Sequence, residues 1–303
     1  MRVAAVDCGT NSVRLLIADV VGDTLTDVAR RMEIVRLGEG VDRTGRLSPE
    51  AIDRTRRALL GYAAEIAELG VTAVRMVATS ATRDASNAAD FRAMVRAVLG
   101  VDPEVISGDE EARLSFAGAV RGLDAEPPYL IVDIGGGSTE FVTGSSAITG
   151  AISVDVGCVR MTERYLTSDP PTAAQIAAAE ADITAAVDRA LAAVPGRDAT
   201  TLVGLAGSVT TVTALALGLP EYDAMRIHHA IVGYDAVAKV TADLLAATVA
   251  ERRALPVMHP GRADVIGAGA LILRTIMERS GQRSVVASEH DILDGICYQL
   301  VAA

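Results

Sequence analysis

The stretch from Tyr129 to Thr143 combines residue types that could bind phosphate, and it reads YLIVDIGGGSTEFVT. An apolar strand ends at Asp133, three glycines follow, and Ser138, Thr139 and Glu140 lead into a second apolar run. Strand, acidic end, glycine turn and strand predict a β-hairpin. A plain tight turn is the simpler interpretation, but a turn alone does not require this many glycines and polar residues.

The glycines give this hairpin an anion-binding chemistry. Gly135, Gly136 and Gly137 have no Cβ atoms, so their backbone N–H groups can converge on one point. Such a nest of N–H groups binds anions, phosphate above all. The hydroxyls of Ser138 and Thr139 could add donors, and the preceding Asp133 is placed to hold a cation that neutralises the phosphate.

A second copy of this pattern opens the chain, where the sequence reads VAAVDCGTNSVRLLIADV. Asp7 ends the first strand there as Asp133 ends the later one, and a glycine and polar residues follow in both. The repeat predicts an internal duplication, although two unrelated hairpins could look alike. We therefore expect two related domains, residues 1–125 and 126–303, joined near the proline-containing segment from Leu123 to Pro128.

Strands and helices alternate along the chain, which predicts an α/β fold. A third glycine turn, with the sequence GLAGSVTT, leads from a strand into a helix. Gly207 and Ser208 lie in this turn, and helix N-termini favour anions through their free N–H groups. We expect these two residues to contact phosphate as well.

Charged residues near these turns could activate water or clamp an anion. Glu140 follows the glycines and could be catalytic or a solvated edge carboxylate. Glu110 and Glu111 begin a helix, where acids are also stabilised by the helix dipole. Arg83 offers a planar guanidinium that suits phosphate oxygens, or it forms a surface ion pair.

The composition excludes several classes of protein. The 303 residues carry a net charge of −11 and only 3 % aromatic residues, which argues against non-specific nucleic-acid or anionic-membrane binding. The three cysteines form no CxxC pair, so we expect a reducing, cytoplasmic setting. Cys8 lies in the first loop but has no activating neighbour in sequence, and we interpret it as a packing residue.

At these residues the sequence resembles the exopolyphosphatase/guanosine pentaphosphate phosphohydrolase (Ppx/GppA) family. The matching segments occur in the family's order and cover both expected domains. They are VDCGTNSVRLLIADV, TSATRDASNAADF, ISGDEEARLSFAGA, VDIGGGSTEFV and GLAGSVTT. The resemblance implies two ribonuclease-H-like (actin-like ATPase) domains around an interdomain cleft, and Mg²⁺-dependent removal of a terminal phosphate.

The same resemblance assigns roles to individual residues. It implies that Glu111 is the catalytic base, that Glu140 is a second catalytic carboxylate, and that Asp133 and Asp7 form the metal site. The residues that match the family's phosphate-binding positions are Asn11, Ser12, Arg83, Gly136, Gly137, Ser138 and Thr139. Mn²⁺ in place of Mg²⁺, an additional monovalent cation and a homodimer are further expectations at the family level.

The sequence departs from the family pattern at two places. Longer members have extra C-terminal helical domains that the present sequence lacks, which favours short polyphosphates or pppGpp. Leu293 stands where many members have arginine. The expected activity is that of an exopolyphosphatase; the alternatives are a pppGpp 5′-phosphohydrolase, a non-catalytic (p)ppGpp-binding regulator and a kinase of the same superfold.

Overall fold

The structure is a computed structural model that describes residues 1–22 and 24–302, and the chain divides into two units. Unit 1 comprises Met1–Arg121 together with Asp291–Ala303, and unit 2 is Gly122–His290. The expected division into residues 1–125 and 126–303 thus differs from the structure mainly at the C-terminus, because the last segment belongs to unit 1.

Unit 1 is built on a mixed sheet that has five strands among the described residues, in the order β3-β2-β1-β4-β5. Strand β1 pairs antiparallel with β2 and parallel with β4, which places the ends of β1, β4 and β5 at one edge. The strands are β1 (Arg2–Cys8), β2 (Ser12–Val21), β3 (Thr24–Ile34), β4 (Ala73–Ala78) and β5 (Glu104–Val105).

Helices connect the parallel strands of unit 1. Ser48 caps α2 by accepting a hydrogen bond from the N–H of Ala51, and Pro49 takes the first helical position, as the Ser-Pro pair predicts. The helices before residue 122 are α1 (Val41–Thr44), α2 (Pro49–Glu68), α3 (Ser80–Asp84), α4 (Ala88–Leu99) and α5 (Gly108–Ala119).

Unit 2 repeats this architecture with one added edge strand. Its sheet, as far as the chain is described, has the order β10-β11-β9-β6-β7-β8. The strands are β6 (Tyr129–Ile134), β7 (Thr139–Gly144), β8 (Ile148–Val154), β9 (Thr201–Leu205), β10 (Ile231–Gly233) and β11 (Ser284–Ala287). Strands β6, β7, β8, β9 and β11 take the places of β1 to β5, with the same parallel and antiparallel neighbours.

The helices of unit 2 cover its sheet, and their starts follow local capping signals. Thr172 and Gln175 form a reciprocal capping box at the start of α7. The helices are α6 (Cys158–Tyr165), α7 (Ala173–Ala193), α8 (Ala206–Ala216), α9 (Ala224–Ile227), α10 (Tyr234–Ala246), α11 (Val249–Arg253) and α12 (Ile266–Ser280), and two 3-10 turns span Gly196–Asp198 and Pro260–Arg262.

The last helix, α13 (Ile292–Ala302), returns to unit 1. Its buried residues Ile292, Leu293, Ile296 and Cys297 join the apolar cluster beneath β1 and β2. A Cβ atom on Gly295 would lie 2.1 Å from the carbonyl oxygen of Leu114, so this glycine permits a close crossing of α13 and α5. Burial of this apolar face explains why the C-terminal segment groups with unit 1.

The shared strand order supports the internal duplication and confirms the α/β, ribonuclease-H-like fold class of both units. The two hairpins also agree in register: Asp7 lies opposite Arg14, and Asp133 lies opposite Glu140. Among the described residues, no helix is long and apolar enough to cross a membrane.

Candidate active site

The first turn, between β1 and β2, has its carbonyl groups bound to the protein and its central amides unused. The carbonyl of Asn11 accepts hydrogen bonds from the N–H groups of Val35 and Arg36 at 3.1 and 2.8 Å, and Gly9 donates to the carbonyl of Ser12 at 3.0 Å. The amides of Thr10 and Asn11 donate to no other described residue. Amides that lack an internal acceptor can bind an anion.

Asp7 lies at the end of β1, beside this turn, and is only 5 % exposed. Its Oδ2 accepts two hydrogen bonds from Arg14, from Nε at 3.0 Å and from Nη2 at 2.8 Å. Its Oδ1 is buried and has no hydrogen-bond partner within the described residues. Burial raises the pKa of Asp7; Arg14 opposes this shift, and the nearby Asp291 adds to it.

Glu111 lies in the first turn of α5, beyond the end of β5, and is 9 % exposed. Arg83, from the helix that follows β4, contacts its Oε2 through Nη1 at 3.3 Å. The same Nη1 donates to the carbonyl of Ile106 at 2.9 Å. The structure therefore joins two predicted site residues at the edge where the parallel strands end, a common location of ligand sites in α/β proteins.

The neighbouring Glu110 has a different environment. Its carboxylate lies 3.7 Å from Arg75 on β4, and its side chain is 36 % exposed. Ser107 caps α5 and accepts a hydrogen bond from the N–H of Glu110. The helix thus directs one glutamate to a surface ion pair and the other, Glu111, to a mostly buried position.

The glycine turn of unit 2 is bound through its carbonyls to the start of α6. Gly135 accepts a hydrogen bond from the N–H of Cys158 at 3.0 Å, and Gly136 accepts from Val159 at 2.9 Å. The carbonyl of Gly137 accepts from Nε of Arg160 at 2.7 Å. These bonds use one side of the turn and fix its conformation.

The other side of this turn presents unused backbone donors. No amide of Gly136, Gly137 or Ser138 donates to a described residue. Both hairpin turns thus combine bound carbonyls with unpaired amides, which fits an anion. The Thr139 hydroxyl differs from our expectation, because it donates to the carbonyl of Val156 at 2.6 Å and supports the turn from within.

Two carboxylates accompany the second turn. Asp133, 8 % exposed, lies one residue before the end of β6, and Glu140, 1 % exposed, lies opposite it on β7. The Ser153 hydroxyl on β8 donates to Oε1 of Glu140 at 2.7 Å. Glu140 is therefore a buried and oriented carboxylate, whereas a solvated edge residue was the alternative that the sequence left open.

The third turn has a more internal arrangement than we expected. Ser208 is 6 % exposed; it hydrogen-bonds the Cys158 side chain, and a Cβ on Gly269 would meet its Oγ at 2.3 Å. The guanidinium of Arg262 covers Gly207, where an added Cβ would lie 2.2 Å from its Cζ atom. The Ser208 hydroxyl thus faces the packed interior of unit 2.

The buried oxygen donor at Asp7 is of the kind that suits a magnesium ion. The described residues contain no group of three or more His, Cys, Asp and Glu side chains arranged to hold a metal. Mg²⁺ commonly uses one or two carboxylates, with water and substrate phosphates completing its coordination. The buried Oδ1 of Asp7 is such an oxygen donor.

Two residues that support the site, Arg14 and Ser153, were not identified from the sequence. Arg14 holds Asp7, Ser153 orients Glu140, and Arg160 binds the glycine turn. Ser153 could have been found from the β7–β8 register, in which it lies opposite Glu140. The thiol of Cys8 is buried, and burial together with Asp7 raises its pKa, which agrees with a packing role.

Two ribonuclease-H-like units, each opening with an aspartate near a strand end and a turn whose central amides donate to no described residue, define a protein of the actin-like ATPase fold. The chain belongs to the Ppx/GppA phosphatase family, whose family model matches residues 16–303.

Known proteins resemble this chain over nearly its whole length. It is 50 % identical to Exopolyphosphatase 2 of Mycobacterium tuberculosis, over 99 % of this chain and 98 % of that protein. The crystal structure of an exopolyphosphatase-like protein has a TM-score of 0.95 and 43 % identity, covering 99 % of this chain and 98 % of that one. A Ppx/GppA family member from Aquifex aeolicus has a TM-score of 0.84 and 31 % identity, covering 100 % and 98 %.

Proposed function

We propose that this protein is an exopolyphosphatase that hydrolyses the terminal phosphate of inorganic polyphosphate. The observation that carries the proposal is the pair of hairpin turns whose central amides donate to no described residue while their carbonyls are bound. Phosphoryl transfer requires mainly positioning and charge neutralisation, which such turns supply. The name and the 50 % identity of the mycobacterial relative support polyphosphate as the substrate.

In this proposal Glu111 is the general base that orients and deprotonates the attacking water. Its carboxylate is mostly buried, and Arg83 contacts one of its oxygens, which fixes the orientation of a group that can accept a proton. The guanidinium of Arg83 is also a candidate ligand of a phosphate oxygen. Glu110, which forms a surface ion pair, has no part in the reaction.

The amides of Thr10 and Asn11 in unit 1, and those of Gly136 to Ser138 in unit 2, bind phosphate oxygens. We keep Asn11, Ser12, Gly136, Gly137 and Ser138 as proposed phosphate-binding residues, together with Arg83. Thr139 and Ser208 would act through the backbone or by shaping their turns, since their hydroxyls have internal partners.

Asp7 and Asp133 would hold Mg²⁺, which when bound would neutralise phosphate oxygens. Glu140, oriented by Ser153, would accept hydrogen bonds from water or substrate near the glycine turn. Mn²⁺ as a substitute, a bound monovalent cation, a homodimer and a cytoplasmic location remain proposals.

The relatives' names give no support to pppGpp as the preferred substrate. The test is phosphate release by the purified protein with Mg²⁺ from tripolyphosphate, long polyphosphate, pppGpp and ATP. We expect release from polyphosphate to be the fastest. Faster release from pppGpp would overturn the substrate assignment, and pppGpp binding without any release would favour a regulator instead.

A further inference from the structure

The two carboxylate oxygens of Asp7 have different environments. Oδ2 accepts two hydrogen bonds from one guanidinium, whereas Oδ1 is buried and has no hydrogen-bond partner in the described part of the chain. An arginine and a carboxylate usually form a bidentate pair in which each oxygen accepts one N–H. At Asp7 both N–H groups of Arg14 converge on one oxygen.

A second carboxylate explains this unusual geometry. The Nη1 atom of Arg14 donates to Oδ2 of Asp291, so one guanidinium is shared between two aspartates. A shift of Arg14 toward the bidentate geometry on Asp7 would pull Nη1 away from Asp291. The ion pair with Asp291 therefore opposes the movement that would cover Oδ1.

Asp291 itself is firmly held. It is 4 % exposed, its Oδ1 accepts a hydrogen bond from the N–H of Leu293, and its own N–H donates to Asp294. A Cβ on Gly118 would lie 1.9 Å from the carbonyl oxygen of Asp291, so helix α5 also confines this backbone. The carboxylate is thus a fixed anchor at the start of α13.

We propose that Asp291 is a positioning residue that holds Arg14 on one oxygen of Asp7 and thereby keeps Oδ1 available to a divalent cation. This inference rests on the proposed function, because it takes Asp7 as a cation ligand. Asp291 lies 284 positions after Asp7 in sequence, on a segment that we expected to belong to the other domain.

The primary variant is Asp291→Asn. Asparagine is as good a helix cap as aspartate, so the start of α13 is preserved while the charge that holds Arg14 is removed. We expect Arg14 to shift onto both oxygens of Asp7. Mn²⁺ affinity, measured by electron paramagnetic resonance on the free protein, should fall at least ten-fold, and the Mg²⁺ concentration for half-maximal activity should rise similarly.

A positioning role also predicts that kcat recovers at saturating Mg²⁺, which general damage to the fold would not allow. Asp294→Asn is the control for charge, because it removes a buried carboxylate that pairs with Arg30 instead of Arg14, while the amide oxygen can still accept the N–H of Asp291. Its effect on Mn²⁺ affinity should be less than two-fold. Equal weakening by the two variants would overturn the proposal, as would unchanged Mn²⁺ affinity in Asp291→Asn.

Two further variants separate this inference from the proposed function. Adding Arg14→Met to Asp291→Asn keeps the wild-type net charge and removes the group that covers Oδ1, so Mn²⁺ affinity should return; continued weak binding would contradict the inference.

Asp7→Asn should abolish the same Mn²⁺ binding. If Asp7→Asn still binds Mn²⁺, the cation role of Asp7 is wrong. If Asp7→Asn loses Mn²⁺ binding but Asp291→Asn binds Mn²⁺ with wild-type affinity, only the positioning role of Asp291 is wrong.

Discussion

Glu111 and Glu110 are adjacent in sequence, but the turn of α5 gives them different surroundings. Glu111 is mostly buried beside Arg83, and Glu110 is partly exposed beside Arg75. A carboxylate with few water contacts and one fixed oxygen is suited to orient a single water molecule. The pair therefore offers a test of the proposed base with a built-in control.

Glu111→Gln should lower kcat for polyphosphate by about 100- to 10,000-fold, because the amide cannot accept the proton of the attacking water. Binding of polyphosphate should change little. Glu110→Gln should retain near-wild-type turnover. Steady-state phosphate release measures both, and comparable activity of the two variants would show that Glu111 is not the base.

Asp291 should also contribute to stability in a pH-dependent way. Burial raises the pKa of Asp291, but the charges of Arg14 and Arg30 outweigh burial, and the pKa lies below its ordinary value. The ionised group then stabilises the fold at pH values above about 4, and this contribution disappears as the pH falls further.

Asp291→Asn should therefore lower the free energy of unfolding at pH 7 by about 1.5–3 kcal/mol, the range for hydrogen bonds to charged groups. At pH 3 the difference between variant and wild type should shrink. Urea unfolding of both proteins at pH 7 and pH 3 measures this difference in the free energy of unfolding. An equal loss of unfolding free energy at pH 7 and at pH 3 would contradict a lowered pKa of Asp291.

At the scale of elements, the start of α6 holds the glycine turn in place. Cys158 and Val159 donate backbone hydrogen bonds to this turn, and Gly157 allows the close approach. A Cβ on Gly157 would lie 2.3 Å from the carbonyl oxygen of Gly136, although its φ of −149° suits any residue. The constraint is therefore one of space and not of backbone conformation.

Gly157→Ala should displace the glycine turn and lower turnover about 100-fold, as expected when binding groups move by about 1 Å. Gly61→Ala is a matched control, because Gly61 lies within α2 with no atom near its Cβ position. It should leave turnover unchanged and raise the free energy of unfolding by about 0.5–1 kcal/mol. Wild-type kinetics in Gly157→Ala would contradict this role for α6.

Local signals made many of these elements predictable from sequence. Each of these signals depends on residues a few positions apart. They are the glycine hairpins, the Ser48-Pro49 helix start and the acidic residues in the first turn of α5. The contact of Arg14 with Asp291 could not be predicted, because it joins residues 277 positions apart. The inward direction of the Ser208 hydroxyl likewise depends on packing against α12, which no local pattern specifies.

At the scale of the whole molecule, a net charge of −11 has to coexist with binding of a polyanion. The long-range field of the protein is unfavourable for polyphosphate, so the proposed function requires local amides and arginines, together with a proposed bound cation, to supply the affinity. The C-terminal helix α13 also matters at this scale. It packs in unit 1 and brings Asp291 into contact with Arg14, next to the first turn.

Ile296→Ala tests the attachment of α13. Ile296 is fully buried in the cluster under β1 and β2, so its truncation should lower the free energy of unfolding by about 2–5 kcal/mol. Leu60→Ala, on an exposed position of α2, should change it by less than about 1 kcal/mol. Chemical unfolding followed by circular dichroism measures both; a stability loss no larger for Ile296→Ala than for Leu60→Ala would contradict this packing.

The most direct test of the central claim is the fate of the water oxygen during hydrolysis of tripolyphosphate. The reaction is run with Mg²⁺ in ¹⁸O-labelled water, and the products are analysed by mass spectrometry at early times. Attack of water on the terminal phosphorus predicts inorganic phosphate that carries one ¹⁸O atom, with unlabelled pyrophosphate. Absence of phosphate release, or label in the pyrophosphate instead, would contradict the account.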